Sequence, residues 1–181
     1  MDRKLAGFTL IEAMVAMAIV AIGLAVAVPA YSGAVSATRT EAAKVDLATT
    51  LIAALTHSTL TQAEVVVCSS GDGASCNGGV DWTGGWIAFA DLDGNRAHGA
   101  NETLLHRQHA LDGGTRLRST SQRTRIVFQP HGGAAAGSNV TFTLCDGRGP
   151  AKATTLVLAN SGRLRQGAPT IAAATACVYS Q

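Results

Sequence analysis

Apolar residues run almost without a break from Gly7 to Val28, and a single acidic side chain, Glu12, lies inside that run. An apolar span of about 20 residues, at about 1.5 Å rise per residue, is long enough to cross a bilayer as a helix. Only Met1 to Ala6 precede it, with Arg3 and Lys4 among them. Pro29 follows; it has no N–H and crowds the carbonyl of Ala25, so a kink is expected at the edge of the apolar segment. From Tyr31 to Gln62 the chain is rich in Ala. There Val45, Ala48, Ile52 and Leu55 recur at helical three and four spacing among Arg39, Glu41, Lys44 and Asp46, which predicts one face packed on something apolar. Phe8 to Gln62 would form one bent helix of roughly 80 Å, its first half in lipid and its second half on a folded domain.

The pattern shortens at Glu64-Val65-Val66-Val67-Cys68, a β-branched run that opens a region punctuated by Gly, Asn and Asp. Candidate strands are Val65 to Cys68, Gly85 to Ala90, Thr103 to Arg107, Thr115 to Arg118, Thr124 to Phe128, Val140 to Cys145, Thr154 to Leu158 and Gly162 to Gln166. Val140, Phe142 and Leu144 alternate with Thr141 and Thr143, so that strand should bury one face and wet the other. The expected fold class is α+β: a long N-terminal helix packed on an antiparallel, β-rich globular domain.

Composition agrees with strands joined by tight turns. Charged residues are 14%, aromatics 4%, and there are 20 glycines in 181 residues, a length that allows one moderate domain behind the helix. The net charge of +2 conceals an asymmetry: residues 1–95 sum to −5 and residues 96–181 to +7. A basic second half suits an anionic partner such as nucleic acid or a membrane surface, although dispersed charges also serve plain solvation. The four cysteines, Cys68, Cys76, Cys145 and Cys177, read as disulfides in an exported chain. Of the three connectivities, Cys68 with Cys76 and Cys145 with Cys177 is preferred, because each would close a loop or pin a terminus.

The turn Asp91-Leu92-Asp93-Gly94-Asn95 offers three oxygen side chains but lacks the remaining positions of an EF-hand loop, so a Gly-closed turn is the better account. His57, His98, His106, His109 and His131 include one His-x-x-His, yet three-residue spacing in a strand turns the rings apart. With no G-x-S-x-G elbow and no Gly-Lys-Ser phosphate loop, no catalytic residue, no metal and no cofactor is expected. The arginines form the more informative set. Arg116 with Arg118, Arg123 with Arg125, and Arg163 with Arg165 are pairs at strand spacing. With Leu117 and Leu164 turned inward, the first and third pairs would present an outward basic stripe able to bind phosphates without reading bases.

Arg3, Lys4, Gly7, Phe8 and Glu12 together resemble the prepilin leader: a short basic peptide ending in Gly, then Phe, then an apolar helix with Glu at the fifth mature position. The resemblance implies that a prepilin peptidase cuts between Gly7 and Phe8 and methylates the Phe8 amine, and that Glu12 is an assembly residue. A conventional signal peptide cleaved after Ala25-Val26-Ala27 is the competing account, and Glu12 inside its apolar core counts against it. Cys68, Cys76, Asp81-Trp82-Thr83-Gly84-Gly85-Trp86, Ile126-Val127-Phe128, Leu144-Cys145 and Ser161-Gly162-Arg163-Leu164-Arg165 are similar, in order, to the domain shared by FimT-type minor pilins and the GspH pseudopilin.

That likeness implies a type IV pilin-like chain with residues 1–7 as leader, 8–29 as the transmembrane half of the helix, 30–62 as its amphipathic half and 63–181 as the globular domain. It implies a single-pass protein of the bacterial inner membrane with its globular domain in the periplasm, later part of a pilus or pseudopilus. Its partners would be other pilins or pseudopilins, the peptidase and the membrane. In FimT-type proteins a C-terminal Gly-Arg-x-Arg is implicated in DNA binding during natural transformation; Gly162, Arg163 and Arg165 match it, but Gln166 and Gly167 stand where the extended motif has a further Arg. Double-stranded DNA is therefore the candidate ligand, with a GspH-like secretion subunit that binds no DNA as the alternative.

Overall fold

The computed structural model describes residues 9–179. Its elements are α1 (Leu10–Thr61), β1 (Glu64–Ser69), β2 (Trp86–Asp91), β3 (Leu104–Gln108), β4 (Arg116–Ser119), β5 (Arg125–Phe128), β6 (Val140–Cys145), a 3-10 turn at Pro150–Lys152, β7 (Thr154–Leu158), β8 (Leu164–Gly167) and α2 (Ile171–Tyr179). All eight strands expected from the sequence are present, β6 and β7 with the expected bounds and the others with ends shifted by at most two residues. The helix α2 and the 3-10 turn were not anticipated; α2 is too short, and too uniformly apolar over Ile171-Ala172-Ala173-Ala174, to show a helical period.

The chain divides into two compact units, one ending at Val35 and one starting at Ser36. In the first, α1 runs on through Pro29, and every side chain from Thr9 to Ser32 is exposed, among them Leu10, Ile11, Met14, Met17, Ile22 and Val26. This is the one helix among the described residues long and apolar enough to cross a membrane.

The second unit is built on two antiparallel four-stranded sheets, in the orders β3-β2-β1-β5 and β4-β6-β7-β8. One core lies between them and the remainder of α1. It joins Ala43, Leu47, Leu51 and Ala54 of the helix to Val65, Val67, Trp86, Ala88, Ile126 and Phe128 of the first sheet and to Leu117, Phe142, Leu144, Leu156 and Leu158 of the second. Each fully buried side chain of this size contributes roughly 1.5–3 kcal/mol. Trp82, from the loop before β2, meets Phe142 edge to face at 5.0 Å and an interplanar angle of 81°.

The buried face of α1 differs from the expected one. Val45 and Ile52 are 53% and 55% exposed, Ala48 and Leu55 sit at the margin of the core, and the inward stripe runs through Thr40, Ala43, Lys44, Leu47, Thr50, Leu51, Ala54 and Ser58. Polar residues masked this stripe in the sequence, and each is satisfied in the fold. Thr40 Oγ1 donates to Asp146 Oδ2 at 2.6 Å, and Ser58 Oγ donates to the carbonyls of Ala63 and Phe128. The Trp86 indole N–H donates to Thr50 Oγ1, and Lys44 pairs with Glu41 at 2.6 Å and reaches Gln166 Oε1.

Disulfides join Cys68 to Cys76 and Cys145 to Cys177. The first lies on the outer face of the first sheet, beside a second apolar cluster of Val66, Ile87, Phe89, Val127 and Ala135. The other fastens α2 to β6, where Cys145, Ala153, Ala174 and Cys177 pack together.

Candidate functional site

At the amino end, Gly7 and Phe8 lie outside the described residues, and Glu12 occupies the first turn of α1. Its backbone N–H donates to Thr9 Oγ1 at 3.3 Å and the Ala13 N–H to the Thr9 carbonyl at 3.2 Å, so Thr9 caps the helix. Thr9 and Glu12 have the spacing of a capping box, and a carboxylate in the first turn is favoured by the helix dipole. Thr-x-x-Glu ahead of an apolar run is the sequence signal of this local role, which stands beside the assembly role expected of Glu12. Among the described residues, the Glu12 carboxylate has no partner.

The arginines divide by sheet. Arg116 and Arg118 belong to β4, with Leu117 fully buried between them; Arg165 is in β8 and Arg163 just before it, with Leu164 between them against the core. The first and third pairs thus stand on the two edge strands of the second sheet. The middle pair does not share one environment: Arg123 precedes β5 and donates through Nε to the Asn139 carbonyl at 2.9 Å, whereas Arg125, on the first sheet, donates to the Arg96 carbonyl at 3.0 Å. Arg116 is also engaged, donating to the Val178 carbonyl at 2.6 Å. The guanidinium groups of Arg118, Arg163 and Arg165 have no hydrogen-bond or ion-pair partner among the described residues.

Gly162, which opens the Gly-Arg-x-Arg stretch, has a structural reason for its identity. Its φ is +79°, and a Cβ there would stand 2.7 Å from Leu55 Cδ2. The turn that delivers Arg163 and Arg165 therefore rests directly on α1, in a conformation that favours glycine.

Strand register sets out the outer face of the second sheet in rows. Arg118 is opposite Thr143, Thr143 opposite Thr155, and Thr155 opposite Gly167; one step along, Thr141, Val157 and Arg165 are aligned. These residues line a groove of about 640 Å³, closed on one side by Pro169, Thr170, Ala173 and Ala176 at the start of and along α2. A neighbouring cleft of about 410 Å³ holds Arg163 and Arg165 beside Asn139 and Asn160. Such a face presents fixed donors and positive charge to an anion; among its lining residues there is no acidic side chain.

Two carboxylates at strand ends have opposite surroundings. Asp146, buried after β6, is held down to a pKa of about 2 by hydrogen bonds from Arg148, chiefly, and from Thr40. Asp91, buried at the end of β2, is pushed up by desolvation, against the hydrogen bonds it accepts from the Arg96 and Gly94 N–H groups. Its neighbours Asp93 and Glu102 bring carboxylate oxygens within 4.8 Å of its own. Glu102 is twelfth in the chain counted from Asp91, a position at which a calcium loop carries a glutamate, and here it accepts from the Leu92 and Gly99 N–H groups and closes the loop. The paired His106 and His109 are separated by the end of β3.

A family model described as type II transport protein GspH matches residues 45–162. The chain belongs to the GspH family. The match ends at Gly162, so Arg163, Arg165 and α2 of this GspH-type protein lie beyond it. A second model, the prokaryotic N-terminal methylation motif, matches residues 2–28. Among solved structures, two crystal forms of the type IV minor pilin FimU from Pseudomonas aeruginosa PAO1 share the fold. The TM-scores are 0.59 and 0.55, each at 15% identity, over 74% of this chain and 94% and 96% of theirs. No curated protein sequence matches. The protein is a minor pilin or pseudopilin: a GspH-type β-domain carried on an apolar helix that begins with a prepilin-type motif, in a family whose members assemble with other pilins in filaments.

Proposed function

We propose that this protein is made as an inner-membrane precursor with its globular domain in the periplasm, is cleaved between Gly7 and Phe8 by a prepilin peptidase, is methylated on the Phe8 amine, and then joins or primes a type IV pilus-like filament. Its work is assembly rather than turnover. The observation that carries this reading is α1 from Leu10 to Ser32, a fully exposed apolar helix with one carboxylate in its first turn and no covering partner within the described chain. An apolar surface of that extent needs lipid or like helices around it. In a filament, Glu12 meets the Phe8 amine of a neighbouring subunit, each charge offsetting the desolvation of the other and fixing axial register. Glu12→Ala should leave membrane insertion and processing intact and abolish incorporation into filaments; normal incorporation of that variant overturns the assignment.

Within this architecture, the reading we favour is a subunit that binds double-stranded DNA through Arg163 and Arg165. What supports it is that these two guanidinium groups are exposed, side by side at one cleft and free of intramolecular partners. Binding to a short duplex should fall steeply with salt and fall again in the Arg163→Ala, Arg165→Ala double variant. Absence of binding at low salt eliminates it and leaves the second reading, a secretion pseudopilin whose domain contacts other pseudopilins or cargo.

A further inference from the structure

The groove on the outer face of the second sheet contains more than exposed arginines require. Thr143 and Thr155 are only 5% and 2% exposed, their side chains line the groove, and neither hydroxyl is hydrogen-bonded to any described group. Neither hydroxyl is sealed from solvent; each opens on the groove. Two hydroxyl donors with no partner among the described residues thus face a cavity whose ends are held by Arg118 and Arg165, whose guanidinium groups have no partner there either.

A third source of positive potential opens on the same space. Thr170 caps α2, accepting from the Ala173 N–H at 3.2 Å, and the residues leading into the helix, Ala168 to Thr170, form part of the groove wall. The amino end of this nine-residue helix carries the favourable end of its dipole. Asp81 is near Arg118 in a smaller adjoining cleft, but its carboxylate accepts from the Thr83 N–H and forms no ion pair with Arg118.

We propose that this groove is a binding site for a run of phosphate groups, gripped by Arg118 and Arg165 at its two ends, by the Thr143 and Thr155 hydroxyls on its floor and by the start of α2 at its wall. Three interstrand gaps separate β4 from β8, about 14 Å in all, enough for a short run of about two or three successive phosphates of one DNA strand. No aromatic side chain lines the groove, so unstacked bases find no platform, and the sugar–phosphate backbone of a duplex is the source we assign. The proposal rests on the DNA reading above for the identity of the chain that carries the phosphates, and on the groove itself for the phosphate chemistry.

Full-length protein in detergent micelles tests it with two probes: tripolyphosphate by calorimetry and a fluorescent duplex by anisotropy. Tripolyphosphate should bind, weakening about tenfold in Arg118→Ala, which removes a charge-assisted contact. It should weaken by about fivefold in the Thr143→Val, Thr155→Val double variant, which removes two hydroxyl donors from the groove floor. Arg163→Ala, outside the groove, should weaken the duplex and spare tripolyphosphate. Failure of tripolyphosphate to bind, or binding unchanged in both groove variants, overturns the site even if the duplex binds through Arg163. Tripolyphosphate binding with no duplex binding keeps the site and removes DNA as its ligand.

Discussion

The two sheets share one core, but their outer faces have opposite characters. Behind the first sheet, Val66, Ile87, Phe89 and Val127 cluster with Cys68 and Ala135, and strands β1 and β2 are buried on both faces. Behind the second, the outward positions of β6 and β7 are Thr141, Thr143, Thr155 and Val157, with arginines on either edge. A sheet buried on both sides reads as a continuous apolar run, as Val65-Val66-Val67 does; one kept open reads as an alternation. The first sheet packs both faces, whereas the second buries the outward Thr143 and Thr155 and leaves Thr141, Val157 and its edge arginines partly accessible.

The largest test of that contrast is Phe89→Ala, which should cost about 3–5 kcal/mol in chemical denaturation, against less than about 1 kcal/mol for Thr141→Ala at a half-buried outward position of the second sheet. Equal costs would mean that the open face is packed after all. Next come the disulfides. Cys145→Ser with Cys177→Ser opens a loop of separation 32, and Cys68→Ser with Cys76→Ser one of separation 8. Chain entropy assigns about 3.7 and about 2.5 kcal/mol to them, so the second sheet's staple should be the costlier to lose.

A smaller effect separates the two strand-end carboxylates. Asp146 is held low, so its stabilisation is complete above about pH 4, its unfolded range, and is lost as pH falls through about 2. Denaturation followed from pH 5 downward should show about 2 kcal/mol disappearing over that window, and Asp146→Asn should flatten the curve. Smallest of all, Arg163→Ala with Arg165→Ala should shift stability by less than about 0.5 kcal/mol; a larger loss would make the arginines part of the scaffold rather than of a contact surface.

The sequence by itself determined the parts that repeat a local pattern. The apolar run with Glu12, the eight strands, the inward Leu117 and Leu164 and the cysteine pairs were all legible, because hydrophobic period and turn chemistry act over a few residues. Tertiary structure decided what depends on partners distant in the chain. It turned α1 onto Thr40, Leu47, Leu51 and Ser58 instead of Val45 and Ile52, because Asp146, Trp86 and Phe128 supply the bonds that make polar residues acceptable there. It set Arg123, in the turn before β5, against Asn139 and Arg125 against Arg96, closed the Asp91 loop through Glu102 and folded α2 over part of the outer face of the second sheet. It also aligned Arg118, Thr143 and Thr155 from three strands in one row and set Arg165, on a fourth, in the row beside it. No sequence period records that adjacency, since strand order in a sheet is set by which faces the core can bury.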